Sequence, residues 1–291
     1  MPLPQNNLET PQHYHAQGNG QDSALTLLAQ ASHLSKNELK QLATKGAIWL
    51  SKDTQTKQQA LRLRRLKKVP NAQESLDLYF HPKVQNIEVA AAHLIADYKD
   101  YSVWYKPKLM LSQGSKYGDF SALPRWVELH TQRPCWQIHR LDRATDGLML
   151  IAHNKKTAAK LIQAFSTRQV DKTYHALVWG TPLQSSWRCD TPVHDKPALS
   201  HFQLLRTGQL NGQSASVIEI NIETGRKHQI RTHLSEAGLP IIGDRLYGMD
   251  KDTGNIDLQL SAVRLAFTDP NTDERHTIDL PASLYALHSL D

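Results

Sequence analysis

The stretch His139-Arg140-Leu141-Asp142-Arg143-Ala144-Thr145-Asp146-Gly147-Leu148 decides how the rest of this chain is interpreted. It places the carboxylate of Asp142 between Arg140 and Arg143, directly before an apolar run over residues 147–152 that predicts a buried strand. Adjacent cations keep a carboxylate ionised, and an ionised, oriented aspartate can act as a nucleophile. An aspartate before a strand is more often a turn residue, so its role depends on the surrounding sequence.

A second informative stretch is Glu223-Thr224-Gly225-Arg226-Lys227-His228-Gln229-Ile230-Arg231-Thr232-His233. A strand is predicted to end at Thr224-Gly225 and a helix to follow over 228–237, so that backbone N–H groups can meet an anion. Arg231 lies just off the apolar stripe of this helix, where it either reaches inward to pair with a carboxylate or stays on the surface. His228 and His233 do not share a helical face as a zinc-binding helix requires, so no metal site is expected.

A third stretch, Asp171-Lys172-Thr173-Tyr174-His175-Ala176-Leu177-Val178, alternates as a strand does and presents Tyr174. A tyrosine on a strand usually belongs to the core or to the sheet surface. It gains a chemical role only if the strand lines a cleft.

The N-terminal part predicts a tail followed by a small unit. Residues 1–22 are rich in Gln, Asn and His, which predicts a mobile tail. Over residues 23–82, a short helix is followed by a second helix that begins at the Ser35–Glu38 capping box and ends at Gly46, and then by strands at 47–50 and 75–80. Five basic residues lie within 62–68. These charges, like the lysines of the second helix, either contact an anionic partner or only face water.

The remainder of the chain predicts an α plus β domain on a mixed sheet. Residues 83–100 predict a linking helix with apolar positions at Val89, Ala92, Leu94 and Ile95. Strands are predicted at 102–105 and 214–222, and Asn154 is predicted to cap a helix.

Composition sets the class of the protein. Its 291 residues suffice for one large domain and one small one. A net charge of +6 and a pI near 9.2 favour a polyanionic partner. Two cysteines form no disulfide framework, which predicts a reducing, cytoplasmic compartment. No apolar run approaches the length of a membrane span.

Several stretches, in order, resemble the motifs of RluA-type pseudouridine synthases over about residues 100–283. The first stretch resembles the signature of that family, Lys172 with Tyr174 and residues 176–180 its second motif, and Tyr105-Lys106-Pro107 its opening strand. The third motif is matched by residues that lie between 224 and 248: Thr224-Gly225-Arg226, His228 to Arg231, His233-Leu234, Gly238, Pro240-Ile241, Gly243-Asp244 and Leu246-Tyr247-Gly248. Leu260 to Phe267 resembles the closing strands of the family. Residues 23–82 resemble a small RNA-binding module named after a ribosomal protein (the S-four type).

The resemblance implies a fold and a reaction. The fold is α+β, with a mixed, mainly antiparallel sheet in a catalytic domain over 83–291, preceded by a small α/β RNA-binding module. The reaction is the isomerisation of uridine to pseudouridine in ribosomal or transfer RNA, with structured RNA as the partner and no cofactor or metal. We expect a monomer, and the sequence indicates no protein partner.

The resemblance also implies roles for individual residues. Asp142 is implied to be the essential aspartate, Tyr174 to pack on the target uracil, and Arg231 to pair with Asp142. Arg140 is implied to help take the nucleotide out of the RNA stack. Contacts with the substrate are expected from His139, Arg140, Lys106, Thr224, Arg226, His228 and Gln229.

The sequence differs from the family motifs at two places, and two other functions are considered. Asp146 stands where the family commonly has a serine, and residues 106–109 replace a glycine-containing turn. A catalytically idle RNA-binding or ribosome-assembly protein would be expected to lack Asp142, Tyr174 or Arg231, and all three are present. A hydrolase using Asp142 with His139 or His228 would more typically carry a nucleophile elbow or metal-ligand spacing.

Overall fold

The computed structural model describes residues 10–52, 59–249 and 256–291. The chain divides into two compact units. Unit 1 comprises the described residues up to Glu88 together with Gln113–Trp126, and unit 2 comprises Val89–Ser112 and Val127–Asp291. Within the described residues, no helix is both long and apolar enough to cross a membrane.

Unit 1 is a four-stranded antiparallel sheet with two helices on one face. Its elements are β1 (Gln12–Gln17), α1 (Ala24–Ser32), α2 (Lys36–Thr44), β2 (Ile48–Lys52), β3 (Gln59–Arg62), β4 (Glu74–Phe80) and the short α3 (Pro82–Gln85), with strand order β1-β4-β2-β3. The predicted capping box is confirmed, because Ser35 accepts from the backbone of Glu38 and the Glu38 side chain accepts from the backbone of Ser35. The core of unit 1 joins apolar residues of α1 and α2 to alternate residues of β2 and β4.

The predicted tail is wrong for residues 12–17, which form β1 and pair with β4 from Gln12↔Phe80 to Gln17↔Ser75. Tyr14 and Ala16 pack against the core of unit 1 while the histidines between them are exposed. Only two of the six residues contribute apolar packing, so the alternation of apolar and polar residues that marks a strand is not visible in this polar segment. Residues 1–9 of the predicted tail lie outside the described residues.

The segment Gln113–Trp126 interrupts unit 2 in sequence and belongs to unit 1. Asp119 holds it there through ion pairs with Arg62 and Arg64, at 3.3 and 2.6 Å. The structural division therefore falls after Glu88 and includes a second stretch, whereas the sequence predicted one boundary after residue 82.

Unit 2 is built on a ten-stranded, mixed and mainly antiparallel sheet. Its strands are β5 (His93–Asp97), β6 (Tyr101–Lys106), β7 (Trp136–Gln137), β8 (Asp146–Ala152), β9 (Asp171–Trp179), β10 (Ser186–Cys189), β11 (Ser200–Leu210), β12 (Gln213–Ile222), β13 (Leu260–Thr268) and β14 (Arg275–Asp279). The order is β10-β11-β12-β9-β13-β8-β6-β5, with β14 paired to β13 and β7 to β8. The β13–β8 pair is parallel. Every residue of β8 is buried, as the apolar run predicted.

In the described part of the chain, four further helical segments lie between or after these strands, and the one over residues 155–166 packs against β7 and β8. They are α4 (Leu123–Thr131), α5 (Lys155–Ser166, capped by Asn154 as predicted), α6 (Gln229–Glu236) and a closing 3-10 helix (Ala282–Leu284). The predicted linking helix over 83–100 is wrong, because residues 93–97 form β5 and pair with β6. Leu94, one of its assumed apolar positions, is about half exposed, so the apolar spacing did not reflect a buried face.

Candidate active site

A cleft of about 290 Å³ in unit 2 collects most of the sequence-predicted site residues. Four segments line it: the loop before β8, the middle of β9, the turn that leads from β12 into α6, and the start of β13. Among the lining residues are Arg140, Asp142, Tyr174, Arg226, His228, Gln229 and Arg231. The three motifs, separate in sequence, therefore meet at one place.

Asp142 lies in the loop before β8, where its carbonyl accepts a 3.2 Å hydrogen bond from the backbone of Thr145. Its carboxylate is about one-fifth exposed. One carboxylate oxygen lies 3.6 Å from Nη1 of Arg231 and 3.7 Å from Nε2 of His228. Asp142 is thus an accessible anion in a cationic setting, as a nucleophile requires.

Arg231 has a closer partner than Asp142. Its Nε and Nη2 donate to the two oxygens of Asp244 at 2.7 and 2.6 Å, and both side chains are buried. The expected pairing of Arg231 with Asp142 is present as a second, longer contact at 3.6 Å. Burial alone would lower the pKa of Arg231, but the hydrogen bonds and charge of Asp244, with the charge of Asp142, raise it.

Asp244 is the site residue to which the sequence assigned no role. Besides the two hydrogen bonds from Arg231, it accepts from the backbone N–H groups of Leu246 and Tyr247, at 2.9 and 3.1 Å. Burial acts to raise the pKa of Asp244, but these hydrogen bonds outweigh it and the pKa lies below its ordinary value. Asp244 therefore stays ionised and holds Arg231 in place. The only sequence signal was its position in the Gly243-Asp244 element of the third motif.

Tyr174 lines the cleft from β9, where it lies between Ile220 of β12 and Ala262 of β13. Its side chain is largely buried. Burial, and secondly the negative charge of Asp142, raise the pKa of its phenol. The hydroxyl is therefore protonated at neutral pH, and the ring offers a flat apolar surface inside the cleft.

His228 begins the turn into α6 with a left-handed backbone (φ 60°), a conformation uncommon for a residue with a side chain. Its Nδ1 lies 3.1 Å from the hydroxyl of Tyr247, and its Nε2 faces Asp142. Burial lowers the pKa of His228, against the opposing charge of Asp142. His233 lies elsewhere, with its ring nitrogens 3.0 Å from Ser200 Oγ and 2.9 Å from the carbonyl of Thr191.

Two predicted substrate contacts shape the turn instead of facing the cleft freely. Thr224 is buried and donates to Oε1 of Gln229 at 2.7 Å, while Gln229 also accepts from the backbone of Arg226 at 3.1 Å. These bonds close the turn and leave the side chains of Arg226 and Arg140 at the cleft. Arg226 is anchored there by a 2.9 Å hydrogen bond from its Nε to the carbonyl of Pro197.

His139 and Lys106 lie outside the lining of the cleft, and their contact with the substrate stays a prediction. The His139 ring stacks on Phe165 at 4.4 Å and accepts from the backbone of Leu150, and burial lowers its pKa to about 3. Lys106 is fully buried and donates to the carbonyls of Pro107 and Met110, and burial lowers its pKa to about 7. Both brace the loops around the cleft.

Asp146 is fully buried behind the cleft. One carboxylate oxygen accepts from the hydroxyl of Tyr105 at 3.1 Å and lies 3.4 Å from that of Ser261. The other oxygen has no hydrogen-bond partner among the residues that the structure describes. Burial raises the pKa of Asp146. The aspartate that replaces the common serine of the family is therefore a buried ionisable group, and it does not line the cleft.

Comparisons with known proteins agree with the geometry. The sequence profile of the RNA pseudouridylate synthase family matches residues 100–236. The dual-specificity RNA pseudouridine synthase RluA of Vibrio vulnificus is 34% identical over 178 residues, covering 55% of this chain and 71% of that protein. The ribosomal large subunit pseudouridine synthase C of Rickettsia bellii is 30% identical, covering 56% and 59%. The human RNA pseudouridylate synthase domain containing 1 structure shares the fold, with a TM-score of 0.58, 24% identity and coverage of 67% and 86%.

Proposed function

Because this chain belongs to the RNA pseudouridylate synthase family, we propose that it isomerises uridine in the cleft around Asp142. The chain is an RNA pseudouridine synthase, an isomerase that acts on RNA. The observation that carries the assignment of the site is the meeting of Asp142, Tyr174 and Arg231, from three separate motifs, in one cleft.

The reaction breaks the bond from ribose C1′ to uracil N1 and forms the bond from C1′ to C5. The proton lost from C5 is balanced by the proton gained at N1, so no electron or group donor is consumed. A uracil stacked in RNA is out of reach, so the nucleotide must be flipped into the cleft. Asp142 then attacks C1′, or removes a ribose proton on a glycal route.

The neighbours of Asp142 supply orientation and a surface for the base. Arg231, fixed by Asp244, orients the carboxylate of Asp142 from 3.6 Å. Tyr174 offers its ring to the flipped uracil, and its proximity to Asp142 allows its hydroxyl to assist at C5. Arg140, exposed at the cleft, is positioned to occupy the gap that the flipped nucleotide leaves.

The RNA that we propose as substrate is ribosomal or transfer RNA. The name of the Rickettsia relative supports ribosomal RNA, and the net charge of +6 supports a polyanion. Such RNA and the two free cysteines support action in the cytoplasm.

Unit 1 is proposed to add affinity for this RNA without taking part in the chemistry. The sequence assigned that role to the basic residues of 62–68 and to the lysines of α2. Within unit 1, Arg62 and Arg64 pair with Asp119, and Lys68 pairs with Glu74 at 3.2 Å. These three cations are therefore partly neutralised, and the RNA-binding surface has to be sought among other groups as well.

The substitution Asp142→Asn tests the catalytic assignment, since it removes the charge with little change of shape. We expect it to abolish tritium release from RNA that contains 5-tritiated uridine, with RNA affinity and melting temperature close to those of the parent. Asp195→Asn, at an exposed aspartate outside the cleft, is the matched control and should release tritium normally. Substantial release by the Asp142 variant would rule the assignment out.

A further inference from the structure

The sheet of unit 1 has a second face opposite its helices. Because Ile48 and Leu78 belong to the core, the neighbouring residues Trp49 and Tyr79 point to the other side. The strand register brings four further residues together on this face: His13 lies opposite Tyr79, His15 opposite Asp77, and Trp49 opposite both Asp77 and Arg62. We call this set, with Lys116 and Tyr117 of the adjoining segment, the open face.

Aromatic and cationic groups alternate across the open face. The His13 ring stacks on Tyr79 with centroids 4.5 Å apart, and Tyr117 meets Tyr79 edge-on at 6.3 Å. The ammonium of Lys116 lies 5.1 Å from each of the two tyrosine rings. The guanidinium of Arg62 lies over the ring of Trp49 at 4.2 Å.

His13, His15 and Lys116 are the accessible groups of the open face, and Lys116 supplies an exposed positive charge. The side chains of His13 and His15 are about half exposed, at 48% and 54%, and Lys116 is exposed. Asp77 is the carboxylate among the described residues of the open face, and it lies between the two histidines at 2.8 and 3.0 Å. Asp119 partly neutralises Arg62, which leaves Lys116 as the exposed cation.

We propose that the open face binds unpaired nucleotides of the RNA substrate, an inference that rests on the proposed function. Exposed flat rings stack on bases only where the bases are not already stacked in a duplex, and cations beside the rings contact the phosphates. A duplex would present its backbone, and its stacked bases could not add to the rings of His13 and Tyr79. The open face therefore selects single-stranded segments of the RNA.

The test compares two probes, a short fluorescein-labelled single-stranded RNA and a blunt duplex of the same sequence, by titration with the full chain. His13→Ala removes a ring and should weaken single-strand binding about fivefold or more, with little effect on the duplex. His13→Phe keeps a ring and should restore most of the affinity. Lys116→Glu should weaken single-strand binding at least as much as His13→Ala does.

Lys156→Glu is the matched control, because it makes the same charge change at an exposed lysine of α5, outside unit 1 and outside the cleft lining. We expect it to leave single-strand affinity unchanged. Equal weakening by Lys156→Glu and Lys116→Glu would overturn the proposal, and so would unchanged binding by His13→Ala with a parental melting temperature. Tritium release separates this test from the catalytic one: Lys116→Glu should raise the RNA concentration needed for half-maximal release, whereas an active Asp142→Asn would refute only the proposed site.

Discussion

Arg231 and Asp244 form a buried bidentate ion pair, with hydrogen bonds of 2.7 and 2.6 Å, and the remaining Nη1 of the same guanidinium lies 3.6 Å from Asp142. The arginine is therefore shared between the buried carboxylate of Asp244 and the carboxylate proposed to be catalytic. Because Asp244 binds Nε and Nη2 of Arg231, the planar guanidinium cannot rotate, and Nη1 stays directed at Asp142. The geometry of Asp142 thus depends on a residue that does not line the cleft.

Arg231→Ala should lower both activity and stability, because it leaves Asp244 as an unpaired buried charge, at a cost of about 3–5 kcal/mol. Adding Asp244→Ala to it should recover part of that stability, since no buried charge then remains, while tritium release stays low. Melting temperatures and turnover of the two single variants and the double variant measure both effects.

Arg264→Ala provides the control for the Arg231 and Asp244 variants, since Arg264 and its partner Asp279 are both about half exposed. Loss of an exposed pair should cost at most about 1 kcal/mol. A double variant no more stable than Arg231→Ala would show that the charge of Asp244 is not the source of the destabilisation.

Tyr174→Phe keeps the ring that faces the cleft and removes the hydroxyl. We expect RNA affinity to be retained and turnover to fall, because stacking needs only the ring whereas assistance at C5 needs the oxygen. Tyr247→Phe, which removes the hydroxyl near His228 instead, is the comparison. Single-turnover tritium release separates the two steps, and parental turnover by the Tyr174 variant would deny the hydroxyl a chemical role.

Asp146→Asn should stabilise the protein, and more at pH 8 than at pH 5. Since burial raises the pKa of Asp146, the folded state keeps its proton to higher pH than the unfolded state, and stability is lost as pH rises through that interval. Asparagine carries no charge to bury, so we expect a gain of about 1 kcal/mol at pH 8. At pH 5 the gain should be smaller, because more of the folded protein then carries a protonated, uncharged Asp146.

Thermal melts at the two pH values measure this difference, with the exposed Asp195→Asn as control. A gain independent of pH would mean that shape, and not charge, limits stability at this position.

A chain that begins near Ile87 should not behave as an intact catalytic domain. The segment Gln113–Trp126 would lose its partners, because Arg62 donates to the carbonyl of Ser115 at 2.7 Å and Trp49 to that of Lys116 at 3.0 Å. We expect trypsin to cut this chain rapidly after Lys116. The full chain, in which those bonds are present, should resist cleavage there under the same conditions. Equal resistance of the two chains would show that the segment keeps its structure without the rest of unit 1.

Elements defined by neighbours in sequence were predicted well. The capping box at Ser35, the buried strand β8 and the Asn154-capped α5 depend on local hydrogen bonds and on apolar spacing, both visible in one stretch. The linking helix was wrong because residues 93–97 pair with β6, and pairing of an edge strand leaves little trace in apolar spacing. The strand β1 was missed for the same reason.

The sequence by itself determined the family and the reaction class of this protein, since the types and order of the motif residues identify that family, and it provided Asp142 as the proposed catalytic aspartate. Only the tertiary structure decided where the side chains point. It paired Arg231 with Asp244, turned His139 and Lys106 away from the cleft, and assigned Gln113–Trp126 to unit 1. These outcomes depend on contacts between residues far apart in the chain, and a sequence records which groups are available without recording which of them meet.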